Sequence, residues 1–393
     1  MLKRWLVAAV AAGAAVFGPD QAPASAAPAS GCRKVMVIDA ASGRPLGGIE
    51  DIAVNGVANT AYLSADDRWT VEDQAARRAS ALPQGGVYAL PLDDATLRAE
   101  RIAVADATIP FKTGNDFHPH GIDVVTEAEG RATLYVINRR FERRNSAVDP
   151  SASSGRWITT PTVEVFDVDE TGALRHRRTV RDAAFCRANG IIGIDGGRFI
   201  VSNDGGACGR WGRRLEQTFG LKRGNVVLVE TDDATGAARV GRLVDGIGFA
   251  NGLARDARHL YVAATRDRAV LVYRFDDSRG ARPLVEARRI AIDGGGPDNL
   301  SWMSDRVLLM AVHPSLWRLA AYRYRWPMPG ADAAPTRIVG VDIRNGGQYT
   351  IYASDAGEPL SAATVAVVHR DIMIAGSVTD SGLMLCRLTK PDG

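Results

Sequence analysis

One structural phrase recurs six times along this chain of 393 residues, and a repeat of this size restricts a chain to folds that stack or circle one supersecondary unit. Each copy has a polar group, an alternating apolar strand, a turn, and a second strand ending in small or polar residues. The copies are Glu50-Asp51-Ile52-Ala53-Val54 running to Ala61-Tyr62-Leu63-Ser64, and Pro119-His120-Gly121-Ile122-Asp123-Val124 running to Leu134-Tyr135-Val136-Ile137-Asn138. The third and fourth are Ala188-Asn189-Gly190-Ile191 with Phe199-Ile200-Val201-Ser202-Asn203, and Ala250-Asn251-Gly252-Leu253 with His259-Leu260-Tyr261-Val262-Ala263. The fifth is Pro297-Asp298-Asn299-Leu300-Ser301 with Val307-Leu308-Leu309-Met310-Ala311, and the last is Ala363-Thr364-Val365-Ala366-Val367 with Asp371-Ile372-Met373-Ile374-Ala375.

Period-two alternation followed by turn residues such as Gly196-Gly197 marks each copy as a tight β-hairpin. The hairpins return every 48 to 71 positions, and further strands such as Thr162–Phe166, Val226–Glu230 and Ala269–Tyr273 fill the intervals. Four strands per unit and six units predict an all-β chain, a six-bladed β-propeller whose inner strands surround an axial channel. Inner strands of all blades run along that axis, so their starting residues converge at one mouth. A β-sandwich does not explain why the hairpins open on polar groups.

The N-terminus does not belong to this repeat. Met1-Leu2-Lys3-Arg4, an apolar run from Trp5 to Phe17, and the small residues Ala22-Pro23-Ala24-Ser25-Ala26 have the order of a secretory signal peptide, too short and wrongly flanked for a membrane span. We therefore expect residues 1–26 to be removed and residues 27–393 to form one exported domain, periplasmic or secreted. A lipoprotein is the alternative, because Ala29-Ser30-Gly31-Cys32 resembles a lipobox. The net charge is +3, and +2 without Lys3, Arg4 and Asp20, which points to no nucleic-acid or membrane partner.

Four cysteines remain, Cys32, Cys186, Cys208 and Cys386, and an even count in an exported protein favours two disulfides without fixing their pairing. A propeller's last blade is usually completed by the N-terminal strand, so Arg33–Ile38 should pair beside Leu383–Leu388. A Cys32–Cys386 bridge would lock that closure, worth roughly 5 kcal/mol at most in the chain-entropy model. Cys186 and Cys208 flank the third hairpin; a second bridge there competes with a pair of free thiols.

The polar openers are Glu50, Asp51, His120, Asn189, Asn251, Asp298 and Asn299. Individually an Asn-Gly or Asp-Asn pair reads as a turn. Taken together these residues share one phase of the repeat, and two carboxylates with three amides around an axis form an all-oxygen nest. Such a set suits Ca²⁺ better than zinc, which favours nitrogen and sulfur, and Glu50 with Asp298 neutralises a divalent ion.

The same motifs resemble the paraoxonases, calcium-dependent arylesterases and lactonases. The resemblance rests on Glu50-Asp51, Pro119-His120-Gly121-Ile122, Asn189-Gly190, Phe249-Ala250-Asn251-Gly252, Asp298-Asn299, Thr162–Phe166, Ser202-Asn203-Asp204, His313-Pro314, Thr364-Val365-Ala366 and the terminal cysteine pair. It implies one catalytic Ca²⁺ held by Glu50, Asn189, Asn251, Asp298 and Asn299, polarising an ester or lactone carbonyl. It also implies His120 as the base that activates water, and places His313 on the same rim, to assist, to bind substrate or simply to pack. Two departures stand out. Arg139 follows Ile137-Asn138 where the family carries a second histidine, and an arginine cannot accept a proton; it is a candidate contact for a substrate carboxylate or phosphate, or part of a solvated basic loop. The family's second, structural calcium would use Asp51 and the Ile122 carbonyl, but Gly190 stands in place of its third-blade carboxylate, so that site is expected to be weak or absent, with Asp123 as a candidate substitute.

No G-x-S-x-G, H-E-x-x-H or Walker motif is present in the sequence, which leaves serine-hydrolase, zincin and P-loop chemistry unsupported. The expected function is a calcium-dependent hydrolase of aryl esters or lactones acting on a small-molecule substrate. The alternatives are a gluconolactonase-type sugar lactone hydrolase, and a non-catalytic calcium-stabilised propeller that binds a partner on its top face. Substrate specificity is expected in the irregular segments Thr70–Gln84 and Glu142–Arg156.

Overall fold

The computed structural model describes residues 29–113, 116–127, 130–144, 156–232, 234–275 and 283–388. The expected signal peptide and residues 145–155 of the second specificity segment lie outside it. All six hairpins form. Their first strands are Ile49–Asn55, Pro119–Thr126, Ala188–Gly193, Ala250–Arg255, Gly296–Trp302 and Ala363–His369. Their second strands, such as Ala132–Asn138 and His259–Ala264, are buried along almost their whole length, which is why they read as near-continuous apolar runs.

The arrangement is propeller-like. Among the described residues there are four four-stranded antiparallel sheets, one eight-stranded sheet and a two-stranded ribbon, Phe141–Arg144 with Arg156–Thr159. The first strand of each hairpin contacts that of the next, and the strand Ala363–His369 contacts Ile49–Asn55, so these strands close a ring. Neighbouring sheets pack face to face. Tyr135, Val163 and Val165 meet Phe199, Val201 and Val227 in one layer, and Ile200, Val226 and Leu228 meet Leu253, Leu260 and Leu271 in the next. Each such buried side chain contributes about 1.5–3 kcal/mol.

The eight-stranded sheet arises at the chain ends. Residues Arg33–Val35 pair antiparallel with Leu385–Leu383, as the closure argument requires. Met36–Asp39 do not continue beside that strand: they pair parallel with Arg101–Val104 in the sheet of the first hairpin. The N-terminal strand, Ala29–Asp39, therefore belongs to the first and last sheets at once. Both expected disulfides are present, Cys32–Cys386 across the closure and Cys186–Cys208 beside the third hairpin, with sequence separations of 354 and 22.

Each first strand breaks its register at the same point. The shifts fall between Ile49 and Asp51, Pro119 and Ile122, Ala188 and Ile191, Ala250 and Leu253, Pro297 and Leu300, and Ala363 and Val365. A β-bulge re-aims the side chains it contains, and here it carries the polar openers. The glycines beside them have a steric cause. A Cβ on Gly121 would stand 2.4 Å from the Asn189 carbonyl oxygen, on Gly190 2.6 Å from that of Asn251, and on Gly252 2.5 Å from the Asn299 Cα.

Candidate functional site

The bulges bring the predicted residues together from sequence positions up to 249 residues apart. Glu50, His120, Asn189, Asn251, Asp298, Asn299 and His313 are all buried, none more than 5% exposed. His120 Nδ1 lies 2.8 Å from Glu50 Oε2. Asn299 Nδ2 donates to the Glu50 carbonyl at 3.2 Å and reaches Glu50 Oε1 at 3.3 Å, while Thr364 Oγ donates to the same carbonyl at 2.8 Å. Asp298 Oδ2 contacts His313 Nε2 at 2.6 Å, and Asn251 Nδ2 donates to Thr265 Oγ at 3.1 Å. Ser202 Oγ ties the third hairpin to the fourth by donating to the Asn251 carbonyl at 2.5 Å.

Two oxygens in this group are left over. Asn189 Oδ1 and Asn251 Oδ1 are buried and accept no hydrogen bond among the described residues, and His120 Nε2 is likewise without a partner there. A buried polar atom with no partner costs about 1–3 kcal/mol, so a cluster at one level of a ring marks a site shaped for something else. The donor set, carboxylate and amide oxygens, fits a hard cation. It contains two carboxylates, and no group of three or more His, Cys, Asp or Glu with metal-binding geometry occurs among the described residues.

The local field is strong. Burial would raise the Glu50 carboxyl, but His120, Arg68 and Arg139 outweigh it and hold it at about 2. Burial, then Arg139 and Arg68, push the His120 imidazole down to about 3, so it is neutral near pH 7. Burial raises Asp298 against the pull of His313. The His120 Nδ1 sits between two partners: Arg68 Nη2, a donor, at 2.5 Å and Glu50, an acceptor. The two contacts call for opposite tautomers: accepting from Arg68 at Nδ1 puts the proton on Nε2, whereas donating from Nδ1 to Glu50 leaves Nε2 free to accept a proton.

Asp51 faces a different way. Its carboxylate accepts the backbone N–H groups of Ile52 and Ile122, each at 2.9 Å, and burial with the charge of Glu50 raises it well above the usual range. Asp123, the candidate substitute at the second ion site, accepts from the Gly193 N–H at 2.7 Å. Asp51, Ile122, Asp123 and Asn299 line a cavity of about 250 Å³ with residues of the other first strands.

At the opposite end the first specificity segment is a correction: Thr70–Gln84 is not irregular throughout, because Arg68–Ala76 forms a helix capped by Asp67. This helix delivers Arg68 onto His120, a contact with no motif to announce it. His118 is a second residue that motif reasoning passed over. Fully buried, it lies between Asp66 at 3.2 Å and Asp116 at 3.1 Å; burial alone would lower it, but the two carboxylates raise it to about 9. The alternation of His118 and His120 on one strand approach is its sole sequence signal. Arg139 is neither in a solvated loop nor tightly paired; its side chain is 31% exposed and its nearest carboxylate, Asp204, stands 3.9 Å away.

Comparison with known proteins supplies the family. A family model described as arylesterase matches residues 80–388. The chain is 24% identical over 298 residues to dog serum paraoxonase/arylesterase 2, covering 75% of this chain and 74% of that one. It is 23% identical over 287 residues to mechanosensory abnormality protein 6 of Caenorhabditis elegans, covering 71% and 68% respectively. The solved structure of a gluconolactonase-like protein aligns with a TM-score of 0.47 at 13% identity, covering 94% of this chain and 97% of that one. The arylesterase motifs and their buried convergence thus coincide with a match over most of the sequence: this chain belongs to the arylesterase, or paraoxonase, family.

Proposed function

We propose that the chain is an exported, calcium-dependent hydrolase of aryl esters or lactones, built as a six-bladed propeller in which the eight-stranded sheet counts as two blades. Two unsatisfied amide oxygens in one buried ring, Asn189 Oδ1 and Asn251 Oδ1, gathered with the buried carboxylates of Glu50 and Asp298, carry this reading. Glu50, Asn189, Asn251, Asp298 and Asn299 would hold the ion. The chemistry such a cation supplies when bound is polarisation of the ester carbonyl and neutralisation of the developing oxyanion. Glu50 fixes the His120 tautomer through Nδ1, and His120 Nε2 takes the proton of the attacking water. His313 orients Asp298 through their 2.6 Å contact. Two disulfides agree with export, and no helix among the described residues is long and apolar enough to cross a membrane.

A second ion at Asp51 and the Ile122 carbonyl has less support. The Asp51 carboxylate already accepts two backbone N–H groups, and the crowding at Gly190 leaves no room for another carboxylate. The non-catalytic reading, a calcium-stabilised propeller with a partner on its top face, draws on one observation: Arg139 stands where the family's second histidine would be. Turnover of 4-nitrophenyl and lactone substrates, measured with and without EDTA, decides between them. Chelator-sensitive turnover that falls at least tenfold in Asn251→Ala supports catalysis, and turnover indifferent to calcium rejects the metal's role. Undiminished activity in His120→Gln would remove the base assignment alone.

A further inference from the structure

Two arginines beside the site, Arg68 buried and Arg139 half-buried, lack a close ion-pair partner of their own. Arg68 is 6% exposed, yet its guanidinium meets the His120 imidazole and not a carboxylate, its Nε has no partner, and no carboxylate lies within ion-pair distance of it among the described residues. Arg139 has Asp204 at 3.9 Å, and Asp204 is already held closely by Arg187. Taking a guanidinium out of water costs several kcal/mol unless it is paired. The acids nearby are otherwise engaged: Glu50, whose carboxyl both arginines help hold low, contacts His120 and is assigned above to the ion. Asp66 contacts His118, Glu72 pairs with Arg323, and Glu216 lies near Arg187.

Arg68 and Arg139 border a cavity of about 200 Å³ whose wall includes Ala188, the residue before Asn189. The cavity is joined to the ring through its wall: Arg68 touches His120, and Ala188 precedes Asn189. A wide groove of about 1100 Å³ shares Phe141, Thr159, Cys186 and Arg213 with it and adds Arg156, Arg181, Arg210 and Arg214 against the one acid Asp182. A one-signed approach of this kind raises the local concentration of anions, and the planar guanidinium fork matches an oxyanion in two-point contact.

We propose that the substrate of this site carries, besides the ester or lactone group, an ionised oxyanion, a carboxylate or a phosphate, held by Arg68 and Arg139. The inference rests on the hydrolase reading above and names its substrate class. It also gives Arg139 a purpose at the position where a second histidine is missing: the second proton-transfer group is exchanged for a charge that anchors the substrate.

The test compares 4-nitrophenyl hydrogen glutarate with its uncharged methyl ester, using the full processed chain with Ca²⁺. The charged ester is expected to show at least a tenfold higher kcat/KM, and Arg139→Gln to collapse that ratio at least tenfold, mainly through KM. Arg139→Lys, which keeps the charge but loses the fork, should fall between them and covers the case where Arg139→Gln does not fold. Competition by glutarate but not by inorganic phosphate identifies a carboxylate, and the reverse a phosphate. A ratio near one in the unmodified protein, or a ratio unmoved by Arg139→Gln, overturns the proposal. Should neither ester turn over, the hydrolase reading fails first. Calorimetric titration with glutarate and with phosphate then decides separately: binding lost in Arg139→Gln upholds the anion site, and no binding of either rejects it.

Discussion

Gly190→Ala is the sharpest probe of how the ring is held. The added methyl carbon would stand 2.6 Å from the Asn251 carbonyl oxygen, 3.2 Å from its carbon and 3.0 Å from Ser202 Oγ. None of these is the loose end of a long side chain. The carbonyl belongs to the next inner strand and accepts the Ser202 hydroxyl at 2.5 Å, so it cannot give without disturbing Asn251 itself. Overpacking of this kind costs about 1–3 kcal/mol, and the backbone obstacle places this case at the upper end. An unfolding entropy of about 2.1 cal/mol/K per residue, over roughly 360 folded residues, converts ~3 kcal/mol into a fall in Tm of about 4 °C. Gly56→Ala, where nothing lies within 4 Å of the new carbon, is the matched control and should stay within about 0.5 kcal/mol. Thermal unfolding followed by circular dichroism reads both. If Gly190→Ala melts with the control, the inner strands are not packed as closely as described and the placement of Asn189 against Asn251 loses its basis.

Three further outcomes are expected. The His118 imidazole, raised from its ordinary 6.5 to about 9 by Asp116 and Asp66 against the cost of burial, contributes stability that is fully present below pH 6.5 and lost as pH rises through 9. Urea unfolding should therefore show a loss of about 3 kcal/mol across that window, and His118→Gln should abolish the slope. Serine at both Cys32 and Cys386 removes a bridge with a sequence separation of 354 and should lower stability by about 2–5 kcal/mol in guanidinium titrations; an unchanged midpoint would show that strand pairing alone closes the sheet. Calcium at a hundred times its Kd should raise the unfolding free energy by about 2.7 kcal/mol, a gain that disappears in Asn189→Ala if that amide is a ligand.

The repeat made most of the fold legible, because a hairpin buried on both faces has to write its apolar alternation into local sequence. Convergence of Glu50, His120, Asn189, Asn251, Asp298 and Asn299 followed from their common phase, and the register shifts supply its physical cause. What local pattern could not convey was contact between distant charges. Arg68 looks like one more polar residue after Asp66-Asp67, and its approach to His120 depends on a helix packed over the ring. Arg139 reads as part of a basic run until Asp204 and Arg187 show how little negative charge it keeps for itself. The double allegiance of Ala29–Asp39 was half visible: the cysteine at one end announced Leu383–Leu388 as a neighbour, but parallel pairing with Arg101–Val104 leaves no local signature.

That shared strand limits how such a molecule can be assembled and altered. The strand Ala29–Asp39 finds its antiparallel partner only when residue 388 has been made, so circular closure must wait until all six hairpins have been synthesised. Neither terminal repeat can be deleted or copied without orphaning an edge of the other, which confines any gain or loss of whole repeats to the interior of the sequence.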